Sequence, residues 1–265
     1  MLAARVFALR RVFPEYDLIS RSILARLRGV DDERMERVTG RGYLLCITPR
    51  SGSSMLADVL GQTGSVGRAR EHFPTCADAP LPKWLDKCSS LRDIFRILEK
   101  WAPAGYFGIK GCLLQMFPLI SAGVFAGPGC IFRHIYLTRR DRLGQAISLA
   151  RAVKTNEWHS HDSHVPDPDL NCEDIVYYLH HIRTMEAGWE TVFTIFQLEP
   201  LRLYYEDLVN DRLNVFEQIR QYLGVQWEIA PAEIVSSFQC VSERHDSGWI
   251  KRLREMFETP PVPPA

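Results

Sequence analysis

GYLLCITPRSGSSMLADVLG, residues 42–61, passes from an apolar run through a turn of small polar residues into a helical pattern. The run from Tyr43 to Ile47 predicts a buried strand over 43–48, and the spacing of apolar residues after Ser53 predicts a helix over 53–61. Pro49, Ser51, Gly52, Ser53 and Ser54 let the chain turn so that successive N–H groups face one point. Those donors, the serine hydroxyls and the positive end of the following helix together favour an anion. An ordinary triphosphate loop needs G-x-x-x-x-G-K-[ST], with lysine on the terminal phosphates. Here no second glycine and no lysine follow, and Arg50 is the cation of the stretch. An arginine fork binds phosphate or sulfate in two places without a metal. The alternative is a serine-rich turn whose hydroxyls only cap the helix.

Outward from this loop, HIYLTRRDRLGQAISLARAV (134–153) repeats the plan, with Arg139 and Arg140 at the end of a strand and Ser148 two turns into a helix. Two arginines at the carboxyl edge of a strand form a second anion site, or else a solvated, ion-paired helix start around Asp141 and Arg142. Two cradles suggest a ligand carrying phosphate at both ends. Strands are expected at 43–48, 106–109, 134–138 and 201–205, and helices at 53–61, 142–153, 175–194, 207–223 and 248–257. The alternation predicts an α/β, P-loop-type three-layer fold: a central, mainly parallel sheet flanked by helices, with ligands where strands end and helices begin.

The 265 residues are 46% hydrophobic and 24% charged, enough to bury a full core. Thirty-two basic residues balance 32 acidic ones, so no overall charge points to nucleic acid and any anion site is local. Seven cysteines, odd in number and with no C-x-x-C pair, speak against a disulfide framework and a zinc knuckle. A reducing, cytoplasmic setting is expected. Residues 1–40 read as a helical extension and linker. The apolar run of MLAARVFALRRVF is too broken by Arg5, Arg10 and Arg11 for a signal peptide or a membrane span. This helix packs on its own domain or on a second subunit, or lies on a membrane surface through residues 1–13. Residues 41–257 form the main domain, and ETPPVPPA closes the chain in a proline-rich extended tail, 258–265.

PRSGSS after a strand, together with RRDRLGQAISLARA, resembles the paired phosphate sites of sulfotransferases that use 3′-phosphoadenosine 5′-phosphosulfate (PAPS), especially the bacterial trehalose 2-sulfotransferase-like family. TGSVGRAREHF (63–73), FGIKG (107–111), RAVKTNEW (151–158), EAGWETVF (186–193) and SGWIKRLR (247–254) resemble that family in the same order. The resemblance implies that Arg50, Ser51, Gly52, Ser53 and Ser54 hold the 5′-phosphosulfate, and that Arg139 and Ser148 hold the 3′-phosphate. In this family the arginine precedes the serine by nine positions, which selects Arg139. The broader cytosolic enzymes use eight, which selects Arg140 as second choice. HDSGWIKRL resembles the segment that closes over the nucleotide, so Trp249 packs near the adenine or caps the core.

The resemblance also sets the chemistry: transfer of a sulfuryl group to a hydroxyl of a carbohydrate or glycolipid acceptor, with PAP as product and no metal. In-line transfer needs an aligned hydroxyl, a base and cations around the leaving group. Glu71 stands at the family position of the base, or pairs with Arg68 or Arg70. His72 follows it where an aromatic residue is common, so His72 assists or replaces it. Lys110, at a strand end, leans on the sulfuryl group or the acceptor, or merely ends the strand. His159, His161 and His164 invite a metal reading together with Asp162, but the segment is a polar loop before Pro166 and Pro168 without the rigid frame a metal site needs, and that loop shapes the acceptor pocket instead. His180 and His181 read as packing or surface residues, Trp189 and Phe193 as core. Related enzymes are dimers, so a homodimer is implied. The competing reading is a non-catalytic nucleotide- or anion-binding protein, or a small-molecule kinase, on the same looped sheet.

Overall fold

The computed structural model of the protein describes residues 2–26, 41–75, 81–126, 132–158, 168–236 and 255. Trp249, the helix expected at 248–257, the histidine loop and the proline-rich tail lie outside these, apart from Glu255.

Four strands make the sheet: β1 (Arg41–Ile47), β2 (Tyr106–Gly111), β3 (Phe132–Thr138) and β4 (Leu201–Tyr204). Their order is β2-β1-β3-β4, and every pairing is parallel. Parallel strands covered on both faces read as unbroken apolar runs rather than alternating ones, and β1 is buried from Gly42 to Ile47. Alternate residues face opposite layers. Leu44, Cys46, Phe107, Ile109, Phe132 and Tyr136 join one core, and Tyr43, Leu45, Ile47, Ile135, Leu137 and Leu203 join the other.

The second layer is built from α3 (Ser53–Gln62), α8 (Tyr205–Asn210) and α9 (Arg212–Leu223). The first contains α4 (Leu91–Trp101), α5 (Leu113–Ser121) and α7 (Cys172–Phe196). Helix α6 (Arg142–Thr155) packs through Ala146, Leu149 and Ala150 with Ile175, Ile182 and Met185 of α7. The chain leaves β1 for β2 on one side and returns to β3 on the other. The carboxyl end of β1 is therefore a topological switch point, where a crevice opens between the loops.

The expected strands are present, and their ends differ for local reasons. β4 stops at Tyr204 because Tyr205 starts α8. The single helix expected over 207–223 is two helices, parted at Asp211, whose side chain caps α9 by accepting from Asn214 N at 3.4 Å. α4 and α5 were not expected. α4 is an amphipathic helix capped by Ser90, and α5 is buried almost all round, so it has no polar stripe to betray its period.

The start of the chain forms two helices, α1 (Leu2–Val12) and α2 (Pro14–Arg26). Leu9 and Ile23 are fully buried in the first core. Phe13 and Tyr16 set their rings edge-on to Phe117 of α5, at centroid distances of 6.1 and 5.8 Å. Arg10 Nη2 donates to Ser121 O at 2.8 Å, and the buried Asp17 pairs with Arg10 and Arg21. The described residues of this helical start pack on their own domain. Among the described residues no helix is long and apolar enough to cross a membrane.

Candidate active site

The β1–α3 turn adopts two left-handed residues, Arg50 at φ 63° and Gly52 at φ 81°. Glycine reaches that region freely, whereas arginine does so at a cost of order 1 kcal/mol. Neighbours hold the turn in this shape. Gln145 of α6 donates from Nε2 to Thr48 Oγ1 at 2.9 Å and to Pro49 O at 2.7 Å. Trp189 of α7 donates from Nε1 to Ile47 O at 2.9 Å. Gly52 lies against Tyr205: a Cβ built there would fall 2.4 Å from the ring. Ser51 is completely buried, and among the described residues its hydroxyl has no hydrogen-bond partner. A buried, unpartnered hydroxyl at the start of a ten-residue helix fits a phosphate or sulfate oxygen.

Arg50 extends from the turn to α6. Its Nε donates to Ser148 Oγ at 2.9 Å, and Nη1 donates to Trp158 O. The two stretches read separately as cradles are thus joined by a side-chain hydrogen bond. Gln145 and the carbonyl of Trp158 were not singled out from sequence. Gln145 lies inside the quoted motif, three residues before Ser148, but nothing in that spacing says it reaches back to the first loop.

Arg139 and Arg140 diverge. Arg139 is buried, with its guanidinium 4.8 Å from the ring centre of Tyr205. Its Nη2 lies 3.6 Å from Asp141 Oδ2, and its Nε is buried with no hydrogen bond among the described residues, 3.9 Å from Glu206 Oε1. Arg140 is half exposed, over the ring of Tyr204 at 4.0 Å. Its fork is filled by Asp207 in a bidentate pair of 2.6 and 2.8 Å. Glu206 accepts from the backbone N–H groups of Arg140 and Asp141 at 3.0 Å. Part of the β3–α6 turn therefore already holds a carboxylate from α8. That was invisible in sequence because 66 residues separate Arg140 from Glu206.

At the other side of β1, Lys110 lies buried one residue before the end of β2. Its Nζ donates to Ser54 Oγ at 3.1 Å and pairs with Glu71 Oε1 at 3.2 Å. Glu71 accepts at Oε2 from Gln115 Nε2, at 3.0 Å, while its side chain keeps 46% of its exposure. The pair that sequence offered to Glu71 with Arg68 or Arg70 is not its placement here: its partners are Lys110 and Gln115, and Arg68 pairs with Asp58 at 3.2 Å. His72 turns inward, edge-on to Trp84 with ring centres 5.1 Å apart. Burial, helped by the Arg70 charge and opposed by Glu71, pushes its imidazole down to about 4.

From β2 to β3 the sheet edge thus carries Glu71, Lys110 and Ser54, then Arg50 and Ser148, then Arg139 beside Tyr205. Among the described residues, no group of three His, Cys, Asp or Glu side chains could hold a metal ion. A family model described as Stf0 sulphotransferase matches residues 42–96 and 125–256. The chain belongs to this sulphotransferase family. Trehalose 2-sulfotransferases of Mycolicibacterium smegmatis and Mycobacterium tuberculosis are 25% and 26% identical to it. Those alignments cover 80% and 81% of this chain and 94% of each relative. The sulfotransferase domain of a Synechococcus olefin synthase superposes with a TM-score of 0.53 at 14% identity, covering 88% of this chain and 93% of that domain, a likeness of fold. The matched segments of the Stf0 sulphotransferase model contain Arg50, Glu71, Arg139 and Ser148, whereas Lys110 and Gln115 fall between them.

Proposed function

We propose that this sulfotransferase moves the sulfuryl group of PAPS to a hydroxyl of a carbohydrate or glycolipid acceptor. The observation that carries the reading is the Lys110 bridge: its Nζ touches both Ser54 of the anion loop and the half-exposed Glu71 carboxylate. A proton acceptor thereby stands beside the turn that receives the donor's anionic end. PAPS, when bound, supplies an activated sulfuryl group on a phosphate leaving group.

The chain's own residues divide the remaining work. The N–H groups of the β1–α3 turn, the buried Ser51 hydroxyl and the Arg50 fork bind the 5′ end. Ser148 and Arg139 bind the 3′-phosphate, and the bidentate pair of Arg140 with Asp207 supports Arg139 for this role. Glu71 takes the proton of the acceptor hydroxyl, a contribution of about 10²- to 10⁴-fold. Lys110 and Arg50 hold positive charge where negative charge develops. Burial against Trp84 keeps His72 away from the base role. The two relatives named for trehalose support a carbohydrate acceptor.

Calorimetric titration with PAP, against 5′-AMP and magnesium–ATP, tests the donor site. Metal-independent binding of PAP that collapses without the 3′-phosphate is expected. Binding of ATP with no binding of PAP would replace the reading with a kinase or a nucleotide-binding protein. Sulfate transfer from PAPS to trehalose then tests the acceptor class.

A further inference from the structure

Gln115 sits in the first turn of α5 with 6% of its surface exposed. Its three hydrogen bonds define its orientation. Oε1 accepts from Cys112 N at 3.0 Å, while Nε2 donates to Phe73 O at 3.1 Å and to Glu71 Oε2 at 3.0 Å. Turning the amide over would set its oxygen against a carbonyl and a carboxylate and leave the Cys112 N–H opposite an NH₂ group, so one orientation is selected. Gly111 gives the side chain its room, since a Cβ there would fall 3.0 Å from Gln115 Cβ.

Glu71 needs such a holder. Its backbone is docked beside β2, where Lys110 N donates to Arg70 O at 2.9 Å and Arg70 bridges Ile109. Its half-exposed side chain would otherwise sample several rotamers. Lys110 Nζ takes one carboxylate oxygen and Gln115 Nε2 the other. Of these two, the lysine also serves Ser54, so it couples the carboxylate to the anion loop; the glutamine couples it to the core.

We propose that Gln115 is a positioning residue: it fixes the Glu71 carboxylate, through Oε2, in the orientation from which it abstracts the acceptor proton. The inference rests on the proposed sulfuryl transfer for its kinetic consequence. Misplacing a catalytic group by about 1 Å costs on the order of 10²-fold in rate. Gln115→Met keeps the length and removes the donor. With trehalose as acceptor it should lower kcat about tenfold to a hundredfold, while KM for PAPS and Kd for PAP stay within about twofold. Because Gln115 acts through Glu71, adding Gln115→Met to Glu71→Gln should cost nothing further. Multiplying losses, or a fall in PAP affinity parallel to kcat, would make Gln115 a structural residue and overturn the proposal.

Crystal structures keep the test independent of the acceptor. Glu71 should occupy one rotamer in the unsubstituted protein and several in Gln115→Met, with Lys110 unmoved. An unchanged Glu71 in the variant would overturn the role of Gln115. Absence of PAP binding or of transfer to trehalose in the unsubstituted protein would instead strike the functional reading and leave Gln115 to the crystallographic comparison.

Discussion

Two histidines show what burial does to a single side chain. His72 lies edge-on to Trp84, and His134, in β3, bonds Phe125 O through Nε2 at 2.9 Å. Burial pushes both imidazoles down to about 4, with the Phe125 carbonyl opposing the shift at His134. A group whose folded pKa is depressed stabilises the fold fully above its unfolded value, and that stability is lost as the pH falls through the folded value. Thermal stability should therefore hold above pH about 6.5 and decline toward pH 4, each histidine contributing up to about 3 kcal/mol. Melting temperatures across that range check it. His72→Leu should flatten the decline, and equal acid sensitivity in the variant would remove His72 as a cause. His72 is enclosed against Trp84, whereas the Glu71 carboxylate next to it keeps 46% of its exposure.

At the scale of elements, the β1–α3 turn works because α6, α7 and α8 each touch it. Gln145 and Trp189 hold its carbonyls, and Tyr205 fills the space beside Gly52. Gly52→Ala adds a methyl group at positive φ and into that ring, which also stacks on Arg139. The backbone strain is about 1 kcal/mol and the overlap adds about 1–3 kcal/mol. Gly105 is a matched control, at φ 66° with nothing within 4 Å of an added methyl group, so Gly105→Ala carries the strain alone. Calorimetric melting should rank Gly52→Ala below Gly105→Ala, and PAP titration should find affinity reduced only in Gly52→Ala. Equal affinity in both would mean that the turn tolerates displacement of Tyr205.

Over the whole molecule, the first two helices are part of the core and not an appendage hung from it. Leu9 is fully buried among residues of the sheet and of α5 and α7. Leu9→Ala should cost about 2–5 kcal/mol. Urea unfolding followed by tryptophan fluorescence should show one cooperative transition moved to lower urea. An unmoved main transition preceded by a separate early one would mean that α1 and α2 fold on their own. The outer face of this helix pair keeps Phe7 and Leu18 exposed, but its inner face is committed to Phe117 and Ser121.

The amino-acid sequence by itself determined the sheet and the loop. The apolar run from Tyr43 to Ile47, bounded by turn residues, reads as a strand buried on both sides, and Arg50 within a run of serines and Gly52 reads locally as an anion-binding turn or a capped helix start. These are short-range properties, set by period, turn chemistry and the charge within a few residues. Tertiary structure alone decided which partners the charged groups take. Lys110 could have ended a strand and nothing more, yet it bridges Ser54 and Glu71, 56 residues away at the first. Arg139 and Arg140 are neighbours in sequence, but strand geometry sends one into the interior beside Tyr205 and the other outward to Asp207. Gln115 had no local signal for its contact with Glu71, since 44 positions separate them. Hydrogen bonds and ion pairs act over about 3–4 Å in space, so only the folded sheet, by bringing the ends of β1, β2 and β3 level, specifies the site.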